Sequence, residues 1–193
     1  MPDAPVVARE VDLAAVPASI TAVAISDDAE VLLLAAGNGA VFAAVAKGDL
    51  RLIGSFGHIP ALAFLERSYD ALLADDAENV VYLLRDAAAS GELLRLAGEA
   101  DGVAGPRAVA SFHQGRRALV LNSASSELIV LNLAGGPPLR LGCDCVATGL
   151  HRLAGEGVFR LTEPAAGPVW LYDGDGLEPR LVVVPAAFGA VMP

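Results

Sequence analysis

The side chains best suited to chemistry in this sequence are carboxylates and amides that follow short apolar runs. Asp75 and Asp76 are the clearest case, because two consecutive acids directly after an apolar run could bind a cation or act as an acid–base pair. Comparable places along the chain carry Asn38, His58, Asn79, Asp101, Asn122 and Glu163. Acidic residues in loops can equally be solvated side chains without a ligand. The sequence therefore suggests a ligand-binding face and predicts no cofactor, with a divalent cation left open.

Cys143, Cys145 and His151 form a second candidate group, because two thiols and an imidazole could supply three ligands to a metal ion. A structural zinc site usually has four ligands, and the sequence has only these two cysteines. A disulfide across one residue would be strained, so we expect two small thiols packed at the end of a strand. A metal site and a redox or intermolecular bridge stay open as alternatives.

Sequence motifs of common enzyme and nucleotide-binding classes do not occur in the chain. It contains no Gly-x-Ser-x-Gly, no phosphate-binding Walker sequence and no Gly-x-Gly-x-x-Gly. Asp173 and Asp175 alternate with glycines as in a calcium loop, but the glutamate that such a loop carries at its twelfth position is missing. These aspartates are therefore predicted to form a tight turn.

Composition places the chain among acidic proteins with a large apolar core. Its 193 residues include 23 acidic and 13 basic side chains, giving a formal net charge of −10, and 54% of them are hydrophobic. Lys47 is the only lysine, and nucleic-acid binding needs clustered lysine and arginine, so no nucleic-acid partner is expected. The longest uncharged stretch, residues 31–46, is shorter than the roughly 20 residues of a spanning helix, so no membrane span is predicted. No signal peptide is visible, and localisation stays open.

Internal repetition is the strongest signal in the sequence. Four segments, residues 19–58, 59–104, 105–148 and 149–186, share one order of four short apolar runs separated by turn residues. The runs are too short and too often interrupted by Gly, Asp and Asn for helices, which favours strands. A period of about 40–48 residues with four strands per unit is typical of β-propeller blades. The predicted fold is all-β: a propeller-like array of about four four-stranded antiparallel blades.

The third segment resembles the YVTN-type repeat, which is related to NHL and lactonase-like propellers. The matching positions are Pro106, Val109, Ala110, Gly115, Arg116, Arg117, Asn122, Ser125 and Leu133. The first segment matches partly, the second and fourth match more loosely, and residues 143–174 are similar to the closing blade of YVTN-like proteins from soil bacteria. The resemblance covers residues 19 to about 186. It implies the fold more than a function, because propellers carry many unrelated activities.

Four blades could close into a ring by themselves, but the resemblance implies rings of about seven blades, so an incomplete ring is the alternative that it favours. Residues 6–13 are predicted to form a strand left from a preceding blade, within an N-terminal arm of residues 1–18, and residues 187–193 form a C-terminal tail. An open arc would expose apolar faces at both ends, and those faces must be covered. We therefore expect a homo-oligomer joined edge to edge, or further blades in a longer chain.

Two classes of function follow from this sequence. The favoured hypothesis is a non-enzymatic binding or interaction scaffold of unknown ligand, with an extracytoplasmic full-length form as one alternative. The resemblance also allows a metal-dependent, lactonase-like hydrolase that uses the acidic loop face. Against the hydrolase, such chemistry draws its ligands from around a complete ring, and this chain supplies part of one.

Overall fold

The computed structural model describes residues 11–14, 16–45, 50–89, 91–153, 155–164, 167–176 and 178–186. These residues form sixteen β-strands in four antiparallel sheets of four strands, and the order within each sheet is the order along the chain. We name the sheets blades 1 to 4. The all-β architecture of four-stranded antiparallel blades that the repeats predict is confirmed.

The strands have the following bounds. Blade 1 holds β1 (Ile20–Ile25), β2 (Val31–Ala36), β3 (Ala40–Val45) and β4 (Arg51–Ser55). Blade 2 holds β5 (Ala61–Phe64), β6 (Ala71–Asp75), β7 (Val80–Arg85) and β8 (Glu92–Ala97). Blade 3 holds β9 (Pro106–Phe112), β10 (Arg117–Asn122), β11 (Glu127–Asn132) and β12 (Leu139–Gly142). Blade 4 holds β13 (His151–Arg152), β14 (Val158–Arg160), β15 (Val169–Asp173) and β16 (Arg180–Val184).

The middle strands of an internal blade are apolar on both faces because each face packs against a neighbouring blade. In β10, Leu119 packs into the core shared with blade 4, and Val120 packs into the core shared with blade 2. Successive strand residues point to opposite faces, so a strand buried on both sides needs an unbroken apolar run. This arrangement accounts for the runs of Leu, Val and Ala that raise the mean hydropathy to +0.53.

Three cores hold the four blades together. Leu33 and Leu73 lie in the core between blades 1 and 2, and Leu72 lies in the core between blades 2 and 3. The third core is aromatic: the Phe112 ring of blade 3 lies 6.1 Å from the Phe159 ring and 5.8 Å from the Tyr172 ring of blade 4. Each junction is a face-to-face contact of two sheets, and at the first two junctions β1 lies against β5 and β5 against β9.

Tight turns join the strands, and one of them requires glycine. Gly39 ends the β2–β3 turn with a φ of +83°, and a Cβ at this position would collide with the carbonyl oxygen of Phe56. Glycine alone satisfies both the left-handed backbone and the close approach. The turn therefore fixes where β4 leads into blade 2.

The N-terminal arm is described in part. Residues 11–14 lie outside the strands, and residues 6–10 of the predicted preceding strand, like the tail at 187–193, fall outside the described residues. Glu99–Asp101 forms a 3₁₀ turn, and within the described part of the chain no helix is long and apolar enough to cross a membrane.

Candidate functional site

Asp75 is the most buried of the predicted ligands. It ends β6, its side chain is fully buried, and its carboxylate accepts backbone N–H groups from Gly57 at 2.9 Å, His58 at 3.2 Å and Glu78 at 3.1 Å. The first two donors belong to the connection that leads from blade 1 into blade 2. Asp75 therefore fixes a blade connection, and its oxygens point to backbone donors of the protein itself.

Asn122 does the same at the end of β10 in blade 3. Its amide oxygen accepts the N–H of Ala104 at 3.1 Å, and its amide nitrogen donates to the carbonyl of Gly102 at 2.8 Å. Ala36 ends the corresponding strand of blade 1. In blades 2 and 3, the polar residue at the end of the second strand thus holds the backbone of the connection that leads into the blade.

His58 and Asp76 are brought together on the same edge of blade 2. The Nδ1 atom of His58 lies 2.8 Å from a carboxylate oxygen of Asp76, and each side chain is more than a third exposed. Asn79 lies in the same turn, where its amide oxygen accepts the N–H of Gly105 at 2.7 Å and its nitrogen donates to Glu99 at 2.9 Å. His58 and Asp76 form an exposed pair, whereas Asn79 ties blade 2 to the start of blade 3.

The remaining predicted residues lie apart and make local contacts. Asn38 accepts the N–H of Ala40 at 3.2 Å within its own turn, and Asp101 accepts the N–H of Gly98 at 3.0 Å. Glu163 lies 3.5 Å from the Nε2 atom of His151. The predicted ligand set therefore divides into separate contacts around the blade connections.

The cysteines differ from the thiols that the sequence suggests. Cys143 and Cys145 are joined by a disulfide, which their Cα separation of 5.1 Å permits. The expectation of two unbridged thiols is corrected, because the chain bends enough between the two residues to bring their side chains together. His151 contacts Glu163 and does not join them. Among the described residues, no three His, Cys, Asp or Glu side chains are grouped to hold a metal ion.

The cavities lie at the opposite end of the blades, where the first strand of each blade turns into the second. A central cavity of about 520 Å³ is lined by all four blades. Its lining consists of Asp27, Ala63, Phe64, Glu66, Arg67, Ala110, Ser111, Gln114, Leu150, Arg152, Glu156 and Phe159. Sequence reasoning missed this cavity because its residues come from strands and turns of four blades and share no motif.

A second cavity of about 460 Å³ lies beside it, between blades 1 and 2. Tyr69 donates its hydroxyl to Asp28 at 2.6 Å, and Ser26 donates to the other carboxylate oxygen at 2.7 Å. These bonds stabilise the charged form and lower the pKa of Asp28 to about 2, while the same bond raises the pKa of Tyr69. The Asp27–Asp28 turn, which sequence reasoning treats as local, therefore joins two blades.

Arg152 links blades that are not adjacent in the chain. From β13 of blade 4, its guanidinium contacts the carboxylate of Glu66 in blade 2 and the carbonyl of Ser111 in blade 3. The same guanidinium lies 5.2 Å from the centre of the Phe159 ring. Arg152 thus closes one side of the central cavity and ties three blades together.

Solved structures with this arrangement of sheets are propellers. The chain is similar to the β-propeller domain of Cps50 (Swd1) from Myceliophteria thermophila, with a TM-score of 0.68, 12% identity and coverage of 86% of this chain and 58% of that one. It is also similar to a chain of a nidogen/laminin complex (TM-score 0.67, 11% identity, 84% and 64% covered) and of Kuenenia stuttgartiensis hydrazine synthase (0.65, 11%, 85% and 49%). At these identities the likeness shows the fold alone, which is that of a β-propeller.

The chain spans about half to two thirds of the length of the structures that it matches. No family model and no curated protein matches the sequence.

Proposed function

We propose that the chain is an interaction scaffold whose docking surface is the outer side of blade 1. We call this surface the blade 1 free face and define it by Val23, Ile25 and Leu52. The observation that carries the proposal is the exposure of these residues, at 52%, 59% and 54%. They lie at the margins of that face, because Leu34 and Phe42 between them are buried, Phe42 in a small cluster to which Val16, Ala18 and Leu50 contribute. Exposed aliphatic side chains on one sheet face are typical of a surface that a partner covers.

The register of the strands shows how unusual this exposure is. Val23 pairs with Leu34, Leu62 with Leu73 and Val109 with Val120, so the three residues occupy the same register position in their blades. Leu62 and Val109, at the corresponding positions of blades 2 and 3, are only 9% and 7% exposed because the preceding blade covers them. Val23 has the same position and the same aliphatic character, without that cover.

Leu52 differs from the residues at the corresponding positions of blades 2 and 3, and this difference favours docking. It pairs with Phe42 in blade 1, and the residues that pair with the corresponding Tyr82 and Ile129 are arginines, Arg95 and Arg140. Blades 2 and 3 thus carry a charge where blade 1 carries an exposed leucine. A charged residue lowers the affinity of a surface for an apolar partner, and its replacement by leucine raises it.

We further propose that the repeats are of the YVTN type, related to NHL propellers, and that the protein works in an oxidising compartment. The first part is supported by Gly115, which has a φ of +71° in the hairpin turn of blade 3, and by Asn122 at the end of the next strand. The second part is supported by the Cys143–Cys145 disulfide, since disulfides persist mainly outside reducing compartments. No observation on the described residues favours the lactonase-like hydrolase.

The reaction rate of an introduced thiol tests whether the docking surface is covered, whichever partner covers it. All cysteines of the chain are in one disulfide, so Ile25→Cys and the control Leu139→Cys each introduce a single thiol. In one isolated chain Ile25 is the more exposed, at 59% against 40% for Leu139. In protein purified gently at high concentration, we expect a maleimide to react with the Ile25→Cys thiol at least tenfold more slowly than with the control.

Equal or faster reaction at Ile25→Cys would contradict the proposal. Rates measured in denaturant normalise the two thiols for their intrinsic reactivity.

A further inference from the structure

We propose that the Cys143–Cys145 disulfide is a site of reversible thiol–disulfide exchange, at which a thiol reductant opens the connection from blade 3 to blade 4. This inference goes beyond the docking surface on blade 1 and does not depend on it. It is carried by a difference between blade 4 and blades 2 and 3 in what holds the chain where it leads into the blade.

In blades 2 and 3 a buried polar side chain holds this connection. Asp75 ends β6 and Asn122 ends β10, and their side chains are buried, at 0% and 3% exposed. Each bonds to backbone groups of the chain that leads into its own blade. A reductant leaves such hydrogen bonds intact, so these two connections are held in the same way in reducing and oxidising solution.

The corresponding side chain of blade 4 is turned to other partners. Arg160 has the register position of Leu72 in its sheet. Three residues further, where blade 2 has Asp75, blade 4 has Glu163. The side chain of Glu163 is 50% exposed, and its carboxylate lies 3.5 Å from the guanidinium of Arg160. Among the described residues, no backbone N–H of the connection donates to Glu163.

The disulfide occupies the connection that this side chain leaves unheld. Residues 143–150 join β12 to β13. The N–H of Cys143 donates to the carbonyl of Ser126 at 2.9 Å, and the N–H of Thr148 donates to the carbonyl of Leu161 at 2.8 Å. Between these two bonds, residues 144–147 make no hydrogen bond within the described part of the chain. The disulfide to the buried Cys143 is therefore the bond that ties this stretch to the core.

The two sulfur atoms differ in their access to solvent. Cys143 is 5% exposed and belongs to the core between blades 3 and 4, whereas Cys145 is partly exposed. The neighbours of Cys145 on either side are exposed, Val146 at 86%. A thiol in solution therefore reaches the sulfur of Cys145 before that of Cys143.

The short ring keeps this disulfide reducible in the folded chain. A fold stabilises a disulfide by the same free energy by which the disulfide stabilises the fold, and in the chain-entropy model this free energy grows with the number of residues enclosed. Asp144 is the one residue between the two cysteines. The fold therefore protects this bond from reduction less than it would protect a bridge between distant segments.

The exchange takes place in two steps. The thiolate of the reductant attacks the sulfur of Cys145, the S–S bond breaks, and Cys143 leaves as a thiolate that takes up a proton. A second thiol attacks the mixed disulfide and releases the Cys145 thiol together with the oxidised reductant. The protein gains two electrons and two protons, and two thiols of the reductant become one disulfide. In an oxidising compartment the bridged form prevails, and a rise in thiol concentration opens it.

The rate of reduction tests the exchange, with reduced glutathione as the small thiol and reduced thioredoxin as the protein dithiol. We expect glutathione to reduce the folded wild type no more than about tenfold more slowly than the chain in denaturant, and oxidised glutathione to restore the bridge. Faster reduction by thioredoxin than by glutathione would support the exchange and make a protein dithiol the reductant. A folded-state glutathione rate more than tenfold lower, with no faster reduction by thioredoxin, would overturn the proposal.

Two serine variants test which sulfur is attacked. Cys143→Ser leaves the partly exposed Cys145 thiol, and Cys145→Ser leaves the buried Cys143 thiol. Oxidised glutathione should form a mixed disulfide with the first variant at least about tenfold faster than with the second, after correction for their rates in denaturant. Circular dichroism checks that both variants fold. Equal corrected rates would overturn the assignment of Cys145 as the attacked residue.

Amide hydrogen exchange tests whether reduction opens the connection. On reduction, the N–H of Thr148 should exchange at least about fivefold faster, whereas that of His58, which Asp75 holds, should be unchanged. The double variant Cys143→Ser, Cys145→Ser should exchange at Thr148 as the reduced wild type does, with or without reductant. Equal exchange at Thr148 in the bridged and reduced wild type would show that the disulfide does not hold the connection, and would overturn the opening.

Discussion

Blades 1 and 2 share strand order and register, yet the same repeat position has opposite surroundings in them. Val23 is half-exposed on blade 1, and its counterpart Leu62 is buried on blade 2. Ala36 ends β2 without a polar group, whereas Asp75 ends β6 with three backbone donors around it. The repeat thus determines the fold of each blade. Whether a given position is buried or exposed depends on whether a neighbouring blade packs against it.

The comparison teaches where to look for function in a repeated fold. Positions that follow the repeat serve packing between blades. Positions that depart from it mark the ends: Leu52 replaces an arginine on blade 1, and Arg160 replaces a leucine on blade 4. The two departures are opposite in polarity, while both outer sides also carry exposed aliphatic side chains, Val23 and Ile25 on blade 1 and Val184 on blade 4.

The largest expected effect comes from truncating matched aliphatic residues at a junction and at the free end. Leu72→Ala should lower the free energy of unfolding by about 3–5 kcal/mol, because a fully buried leucine leaves a cavity. Val23→Ala in protein kept dilute should lower it by less than about 1 kcal/mol, because the side chain is half in water. Urea unfolding measures both. Equal losses would show that the blade 1 free face is covered within the chain itself.

Asp75→Ala should have the next largest effect. It leaves the N–H groups of Gly57, His58 and Glu78 without their acceptor, and we expect a loss of roughly 2–4 kcal/mol in urea unfolding. Asp75→Asn keeps one acceptor oxygen and should lose about half as much. If Asp75 were a metal ligand instead, added divalent cation would stabilise the wild type and not Asp75→Ala.

Tyr69→Phe tests the bond that joins blade 1 to blade 2 at the opposite end of the sheets. The pKa of Asp28 is lowered from 3.8 to about 2, first by the Tyr69 hydroxyl. A lowered folded-state pKa stabilises the protein above the unfolded value, and this stabilisation is lost as pH falls from 3.8 towards 2. In Tyr69→Phe, the carboxyl NMR titration of Asp28 should move up towards its ordinary pKa. If the titration midpoint of Asp28 were unchanged, its lowered pKa would come from the hydrogen bonds of Ser26 and the backbone.

Tyr172→Phe should have the smallest effect of the four. The Tyr172 hydroxyl is buried without a hydrogen-bond partner, and its burial raises the pKa of the phenol to about 12. Removing an unpaired buried hydroxyl should leave stability unchanged or raise it by up to about 1 kcal/mol in thermal unfolding. A loss above about 2 kcal/mol would reveal an ordered water on this hydroxyl, and the junction of blades 3 and 4 would then resemble the bonded contact at Tyr69.

The sheets could be predicted from the sequence because their signals are local. Each strand is a run of four to seven residues bounded by turn residues, as in Arg117–Asn122 after the Gly115 turn, except for the two-residue β13 and three-residue β14. The weak first run of the fourth repeat became the shortest strand, His151–Arg152, which agrees with its weak pattern.

The role of each predicted site residue could not be obtained in the same way. Asp75 follows an apolar run as a ligand would, but its N–H partners at Gly57 and His58 lie 18 and 17 residues earlier in another blade connection. The central cavity likewise forms only where residues of all four blades meet. The disulfide depends on a local bend between Cys143 and Cys145 that no general spacing rule contains.

The Arg152 contact has a consequence for how the chain unfolds. In most repeat arrays each unit touches only its neighbours, so terminal units can fray and stability adds up along a line. Arg152 joins blade 4 directly to Glu66 of blade 2, across the whole of blade 3. Opening blade 4 therefore breaks contacts in two other blades at once. Amide hydrogen exchange should show blade 4 opening at a lower free energy in Arg152→Ala than in the wild type.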